Sequence, residues 1–265
     1  RLGGYKMFLD GSPQGRTAWM RQPYEGERDY RGYPALTDEQ VYERLKSASE
    51  RGVQILAHCN GDAASGQYLA ALEKAAAASP DKPDKPERVD KLEKIRALRP
   101  IHCQTVRDDQ LDEMKELGVI PSIFVAHTWY WGDVHLKNLG PERGAHISPV
   151  RAALERGLVY NFHQDTPVLE PDMLQTVWCA ANRVTRGGQP IGQDQCVGVY
   201  DALKGVTCNA AYAYHEEERK GTLEEGKLAD LVILDRNPLK TDKRKIRDIQ
   251  VLETVKEGET LYRKE

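Results

Sequence analysis

The chain has 265 residues, enough for one large α/β domain or for one domain with a small appendage. Its 38 basic and 41 acidic residues are mixed along the sequence and leave a formal net charge of -3. This pattern excludes a basic face for nucleic acid or an anionic membrane and favours a small-molecule substrate. Five cysteines without a CxxC pair are typical of reduced core residues, and no apolar run approaches the roughly 20 residues of a membrane-spanning helix.

Short apolar runs alternate with longer stretches of helical period, which is typical of strand–helix units around a parallel sheet. In the first helix, Thr37 or Asp38 caps the start and Gly52 follows the end. Asp62 is expected to cap the second helix rather than bind metal. The predicted strands are 5–10, 53–59, 99–105, 120–126 and 158–165, and the helices between them are 37–52, 63–78 and 107–118.

After the fifth predicted strand, the predicted secondary structure changes from strand–helix units to helices and then to a β region. Two helical stretches, 171–188 and 199–214, follow the last of these strands. From about Gly221 the pattern predicts a small β module, with strands in 226–235 and 249–263, the second broken into a hairpin at Glu257-Gly258. The segment 79–91 is rich in proline and charge and is interpreted as a solvent-exposed excursion.

Polar groups stand where the apolar strands end, as in "ILAHCNGDAA" (55–64). Parallel strands bring their carboxyl ends to one edge, so His58, His102, His127 and Asp165 are expected to lie together. A single histidine at a strand end is more often structural, but four groups from four strands favour a zinc site. Lys6 lies inside an apolar strand, where it either snorkels or bridges two metals as a carbamate.

Motifs spread over almost the whole sequence carry a family resemblance. They include "KMFLDGSPQGRTA", "AHCNGDAA", "RPIHCQT", "SIFVAHTWYWGD", "NLGPERGAHISPVRAALERG", "HQDTPV" and "GTLEEGKLADLVILDRNPL". Together they resemble the amidohydrolase superfamily, in the branch of metal-dependent hydrolases that includes N-substituted formamide deformylase (amidohydrolase family 3).

The resemblance implies a fold and a set of ligands. The fold is α/β: the C-terminal portion of a (β/α)8 TIM barrel, about strands four to eight, over residues 1–220, with the C-terminal strands of a flanking β-sandwich over 221–265. His58, His102, Lys6 and Asp165 match the family's metal-binding positions, with one or two divalent ions, zinc by preference. Whether Lys6 is carbamylated is left open.

Two departures from the family pattern matter. Ile101 stands where the branch usually has a glutamate, so a contact that would orient His102 is expected to be absent. The family's His-x-His pair of strand one does not occur in the sequence. Five strands do not close an eight-stranded barrel, and the chain is therefore expected to be the C-terminal half of a longer protein, with the missing N-terminal half as its partner. A homodimer is left open.

The implied reaction is hydrolysis of a non-peptide C–N bond, with Asp165 shuttling the proton and His127 stabilising an oxyanion or contacting substrate. Trp129 and Trp131 are candidate substrate-binding residues with core packing as the alternative, and Arg143 is a candidate carboxylate contact with a surface ion pair as the alternative.

Three other functions remain open at this point. A deaminase or an ester or phosphoester hydrolase would use the same site, and a catalytically incomplete member would serve as a binding or regulatory protein. A nucleotide-binding domain is disfavoured because no GxGxxG or GxxxxGK[ST] loop occurs. The reduced cysteines favour a cytoplasmic protein, or a periplasmic one if a leader has been lost.

Overall fold

A parallel sheet of five strands forms the frame of the molecule, and its strands lie side by side in chain order. The computed structural model describes residues 4–77 and 98–265. Each neighbouring pair is parallel, so the chain must return across the sheet between strands. The strands are β1 (Tyr5–Phe8), β2 (Ile55–Cys59), β3 (Leu98–His102), β4 (Ser122–Ile123) and β5 (Asn161–Phe162).

All five strands stand where the sequence predicts them, and the α/β class is confirmed. They are shorter than predicted because the backbone leaves the ladder where the polar residues begin. His102, the last residue of β3, and Cys103 and Asp165, which lie beyond strand ends, have φ values of 78°, 49° and 54°, where an extended strand does not continue. That this five-stranded sheet belongs to a closed eight-stranded barrel stays a prediction.

Most helices of the described residues return the chain between strands of the parallel sheet, and the last three follow β5. The first one begins at Thr37, whose side chain accepts the Gln40 amide in a capping box, and it ends at Gly52 in the left-handed conformation, as predicted. The helices are α1 (Asp38–Arg51), α2 (Asp62–Ala77), α3 (Asp108–Glu116), α4 (His127–Tyr130), α5 (Gly132–Ala145), α6 (Val150–Glu155), α7 (Met173–Asn182), α8 (Val199–Val206) and α9 (Cys208–Ala213).

Two expectations about helices were wrong, and three helices were missed. Asp62 is the first residue of α2 rather than its cap, and its carboxylate accepts the Arg21 amide at 2.8 Å. The helix predicted over 199–214 is two helices, because Thr207 lies between them at φ −126° and ψ −101°. Helices α4 to α6 were not predicted; Gly140, at φ 80°, kinks α5 and disrupts its period.

A second, antiparallel sheet occupies the C-terminal region: β6 (Leu231–Leu234), β7 (Val251–Lys256) and β8 (Glu259–Arg263). Glu257 and Gly258 both have positive φ, 52° and 87°, and so make the tight turn of the predicted hairpin. The domain division near residue 220 and the flanking β-sandwich stay predictions.

The core lies between the parallel sheet and its helices. Cys59, Cys103 and Cys179 are buried in it, whereas Cys196 and Cys208 are half-buried; all five are free thiols. In the described ranges, 4–77 and 98–265, no helix is both long and apolar enough to cross a membrane. The predicted excursion at 79–91 lies outside these ranges.

Candidate metal centre

Three imidazoles form a continuous line across the carboxyl ends of β2, β3 and β5. His58 Nδ1 lies 2.9 Å from His102 Nε2, and His102 Nδ1 lies 2.9 Å from His163 Nε2. The line ends at the Ser122 hydroxyl, 2.8 Å from His163 Nδ1. The register explains the meeting, because Cys59 of β2 pairs with His102 of β3 and brings His58 next to it.

The outer nitrogen of His58, Nε2, has two polar neighbours. It lies 2.9 Å from the Gly11 carbonyl oxygen, an acceptor, and 2.9 Å from Asn60 Nδ2, a donor. Asn60 Nδ2 also donates to the Gly11 oxygen at 2.8 Å. These contacts hold the ring so that its inner nitrogen, Nδ1, faces His102.

Burial keeps these rings neutral. It lowers the pKa of His58 and lowers that of His102 well below the usual range, and it lowers the pKa of His163 to about 3, with the Lys6 ammonium acting in the same direction on all three. Neutral imidazole is the form that binds a metal ion.

Two nitrogen donors, one from His58 and one from His102, are spaced almost as two ligands of one metal ion would be. Two imidazole nitrogens on one zinc ion, each about 2.1 Å from it, would be roughly 3.0 to 3.4 Å apart, and His58 Nδ1 and His102 Nε2 are separated by 2.9 Å. Within residues 4–77 and 98–265, no cluster of three or more His, Cys, Asp or Glu side chains is arranged to hold a metal ion. The described side chains thus offer a pair of nitrogens rather than a closed cage.

Lys6 and Asp165, the other two predicted ligands, lie near this pair. Burial lowers the pKa of Lys6, and the Asp165 carboxylate acts against that shift. The same carboxylate raises the pKa of His58, against the larger effect of burial. Asp165 is itself exposed, at the site where the backbone turns out of the sheet.

His127, predicted at a strand end, is the first residue of α4 and pairs with a residue that sequence reasoning did not select. Its Nδ1 lies 3.0 Å from His135 Nε2, and both rings are buried. Burial lowers the pKa of His127 well below its usual range, and His135 and the neighbouring His163 and His58 lower it further. His127 packs against Phe124 and Trp131, with its ring centroid 4.5 Å from each of theirs.

The three predicted substrate-binding residues have different neighbours. Trp131 contacts His127, as described. Trp129 instead packs edge-on against Trp178, 5.1 Å between ring centroids. Arg143 donates to the backbone carbonyls of Leu139 at 2.9 Å and Pro23 at 2.8 Å. The geometry therefore gives Trp129 and Arg143 packing and bridging contacts.

Asp10 is a buried carboxylate that sequence reasoning missed. It follows β1 and accepts the amides of Trp19, Asn60 and Gly61 at 3.0, 3.0 and 2.7 Å. Its Oδ1 lies 3.6 Å from His58 Nε2. Burial raises its pKa to about 7 against the opposing effect of these amides. The signal that could have revealed it is its place at a strand end, in "FLDG".

His163 was missed in the same way, although it lies two residues before Asp165. The sequence predicts that His102 lacks an orienting contact because Ile101 replaces a glutamate. In the structure His163 makes a contact to His102 Nδ1 from the far side.

Comparison with known proteins agrees with this architecture. The family model described as amidohydrolase family matches residues 1–262. The chain belongs to the amidohydrolase family. The resemblance stated from the motifs is thereby confirmed.

Two curated relatives match almost the whole chain. Putative amidohydrolase YtcJ of Bacillus subtilis is 26% identical over 269 residues, covering 99% of this chain and 47% of the relative. N-substituted formamide deformylase of Arthrobacter pascens is 27% identical over 264 residues, covering 99% and 46%. The chain thus spans about half the length of the curated relatives it matches.

Solved structures show the same fold. An uncharacterized metal-dependent hydrolase from Pyrococcus horikoshii OT3 superimposes with a TM-score of 0.75 at 26% identity, covering 90% of this chain and 45% of that one.

Proposed function

We propose that this amidohydrolase chain supplies the metal-binding strand ends of a hydrolase that cleaves amide or amide-like C–N bonds outside peptides. The observation that carries the proposal is the pair of imidazole nitrogens, His58 Nδ1 and His102 Nε2, that face each other at 2.9 Å in a neutral, buried setting. The name of the formamide deformylase relative supports the substrate class.

In the proposal, His58 and His102 hold a divalent ion, zinc by preference, and Lys6 and Asp165 contribute further ligands. When bound, such an ion polarises a substrate carbonyl and lowers the pKa of water toward neutrality.

Asp165 is assigned the proton transfers. Its carboxylate is exposed and acts electrostatically on His58 and Lys6, so it is assigned to take a proton from the attacking water and deliver it to the leaving amine. His127 is assigned to the carbonyl oxygen, because the Nδ1 contact with His135 leaves its Nε2 edge for a substrate. Trp131, which packs on His127, lies where an apolar substrate group would bind.

The Asp165→Asn substitution tests the proton shuttle. We expect zinc content to remain within about twofold of the unaltered protein while turnover falls by roughly 100- to 10,000-fold, since an amide cannot carry the proton. Zinc is measured by elemental analysis and turnover on a panel of N-substituted formamides. Glu170→Gln, on the same exposed loop, is the matched control and should keep both properties.

Full turnover in Asp165→Asn would contradict the assignment of the proton shuttle. Absence of zinc from the unaltered protein would contradict the metal role. Adding aryl esters, phosphoesters and aminopyrimidines to the panel separates a C–N hydrolase from an esterase, a phosphoesterase and a deaminase, since each releases a different product.

A further inference from the structure

A second pair of buried imidazoles, His127 and His135, lies outside the line of three rings and has an inner and an outer member. His135, on α5, has no solvent-exposed surface, whereas His127 keeps 3% of its surface exposed. His58 and His163 act electrostatically on His127, while burial alone changes the pKa of His135. The pair therefore runs from the core, at His135, toward the strand-end histidines, at His127.

The single contact between the two rings allows two arrangements. Both rings are neutral, because burial lowers the pKa of His127 well below its usual range and that of His135 to about 4. Each ring therefore carries one proton and one lone pair. Since His127 Nδ1 and His135 Nε2 lie 3.0 Å apart, one of these nitrogens donates and the other accepts.

The other nitrogen of His135, Nδ1, decides which ring donates. Among the described residues, no group forms a hydrogen bond with this buried atom. If His127 donated, His135 would carry its proton on Nδ1, as a buried N–H without an acceptor. If His135 donates, Nδ1 carries only a lone pair. The unpaired N–H is the rarer and costlier case, so His135 Nε2 donates to His127 Nδ1.

This arrangement determines what His127 offers to a bound molecule. Because its Nδ1 accepts from His135, the proton of His127 is on Nε2, at the edge of the ring turned away from His135. An N–H at this edge binds an acceptor, such as a carbonyl oxygen or the oxyanion that forms from it during hydrolysis. Phe124 and Trp131 pack on the same ring and restrict its rotation.

We propose that His135 is a positioning residue that holds His127 as a hydrogen-bond donor to the substrate carbonyl oxygen. The inference rests on the role proposed above for His127 and adds the group that sets its proton and its orientation. His135 acts only through His127, as the third member of a catalytic triad acts through its histidine. A substrate group that itself donates, such as an ammonium, is disfavoured beside His127, because two N–H groups would then face each other.

Nitrogen-15 NMR of the purified, histidine-labelled protein tests the arrangement without any substrate. The spectrum distinguishes protonated from unprotonated ring nitrogens, and the His127→Gln and His135→Gln variants assign the signals. We expect Nε2–H in both rings. A proton on Nδ1 of either ring would overturn the inference, because His135 would then not be the donor to His127.

A matched pair of variants tests the effect on turnover. His135→Gln keeps an amide N–H at a similar reach, whereas His135→Met has about the same volume and no donor. On the panel of N-substituted formamides, His135→Met should lose roughly 10- to 100-fold in kcat, less than removal of an oxyanion donor itself costs, with KM within about twofold. His135→Gln should recover most of this loss. Altered packing would affect both variants alike, so equal kcat in the two variants would overturn the inference.

The role of His135 and the proposed function fail in different ways. Absence of turnover by the unaltered protein would overturn the proposed function and the substrate contact of His127, and the NMR spectrum would still decide whether His135 donates to His127. Normal turnover with a proton on His127 Nδ1 would overturn the role of His135 alone.

Discussion

Buried imidazoles define the chemistry of this chain at the scale of single residues. Burial lowers the pKa of five histidines by penalising the charged ring, and in each it is the largest cause. The five are His58, His102, His127, His135 and His163. Rings that stay neutral in acid keep their lone pairs for a metal ion or a hydrogen bond.

His135 offers a pH prediction that does not involve the proposed ligands. Burial lowers its pKa from 6.5 to about 4. Between these values the unfolded chain binds more protons than the folded one, so the free energy of unfolding falls as the pH falls from 6.5 to 4. His135 should account for about 3 kcal/mol of that loss.

The measurement is urea unfolding of the unaltered protein and His135→Phe at several pH values in that window. The variant should show the shallower slope, because one of the titrating rings is gone. Leu139→Ala, at a buried apolar position, should lower the whole curve and leave the slope unchanged. Parallel curves for His135→Phe and the unaltered protein would contradict the prediction.

At the scale of elements, the turn between β2 and α2 joins the histidine cluster to the loop after β1. Gly61 donates its amide to Asp10 Oδ2 at 2.7 Å, and Ala63 donates to the Trp19 carbonyl at 3.2 Å. A Cβ added to Gly61 would lie 1.8 Å from that carbonyl oxygen. The turn requires glycine, because the Cβ of any other residue would collide with the Trp19 backbone.

Gly61→Ala should therefore lower the free energy of unfolding by about 3 kcal/mol, since neither backbone segment can move without breaking a buried hydrogen bond. Urea unfolding at neutral pH measures it. Gly66→Ala, four residues into α2, is the matched control: its Cβ would meet only the Gln110 side chain, at 3.3 Å, and alanine favours the helix by about 1 kcal/mol. Equal stability of the two variants would contradict this account.

At the scale of the whole molecule, the segment that connects β6 and β7 of the second sheet, Lys243–Asp248, packs on α7. The Arg247 guanidinium lies 4.2 Å from the ring centroid of Trp178 and 4.9 Å from that of Trp129. Trp178 Nε1 also donates to the Arg244 carbonyl at 2.9 Å. Two cation–π contacts and a hydrogen bond thus join the C-terminal region to the parallel sheet through its helices.

Arg247→Ala should destabilise the protein by about 1 to 2 kcal/mol in urea unfolding, because both ring contacts are lost. Arg247→Lys keeps a cation and should lose less than half of that amount. A loss in Arg247→Ala that is no larger than in Arg247→Lys would show that the positive charge over the rings contributes nothing.

Much of the frame was predictable because it depends on local patterns. The strand positions follow from apolar runs, the ends of α1 from the Thr37 capping box and Gly52, and the hairpin from Glu257-Gly258. Helices α4 and α6 were not predicted because they are too short to show a hydrophobic period. Helix α5 was not predicted because the kink at Gly140 interrupts its period.

By itself the sequence determined the α/β class, the amidohydrolase family and the arrival of His58 and His102 at the ends of adjacent strands. Only the tertiary structure decided the partners of those rings. His163 meets His102 from 61 residues away, and Asp10 gathers amides from two separate segments. Local periodicity specifies which residues end a strand, whereas hydrogen-bond partners depend on the register between strands distant in the chain.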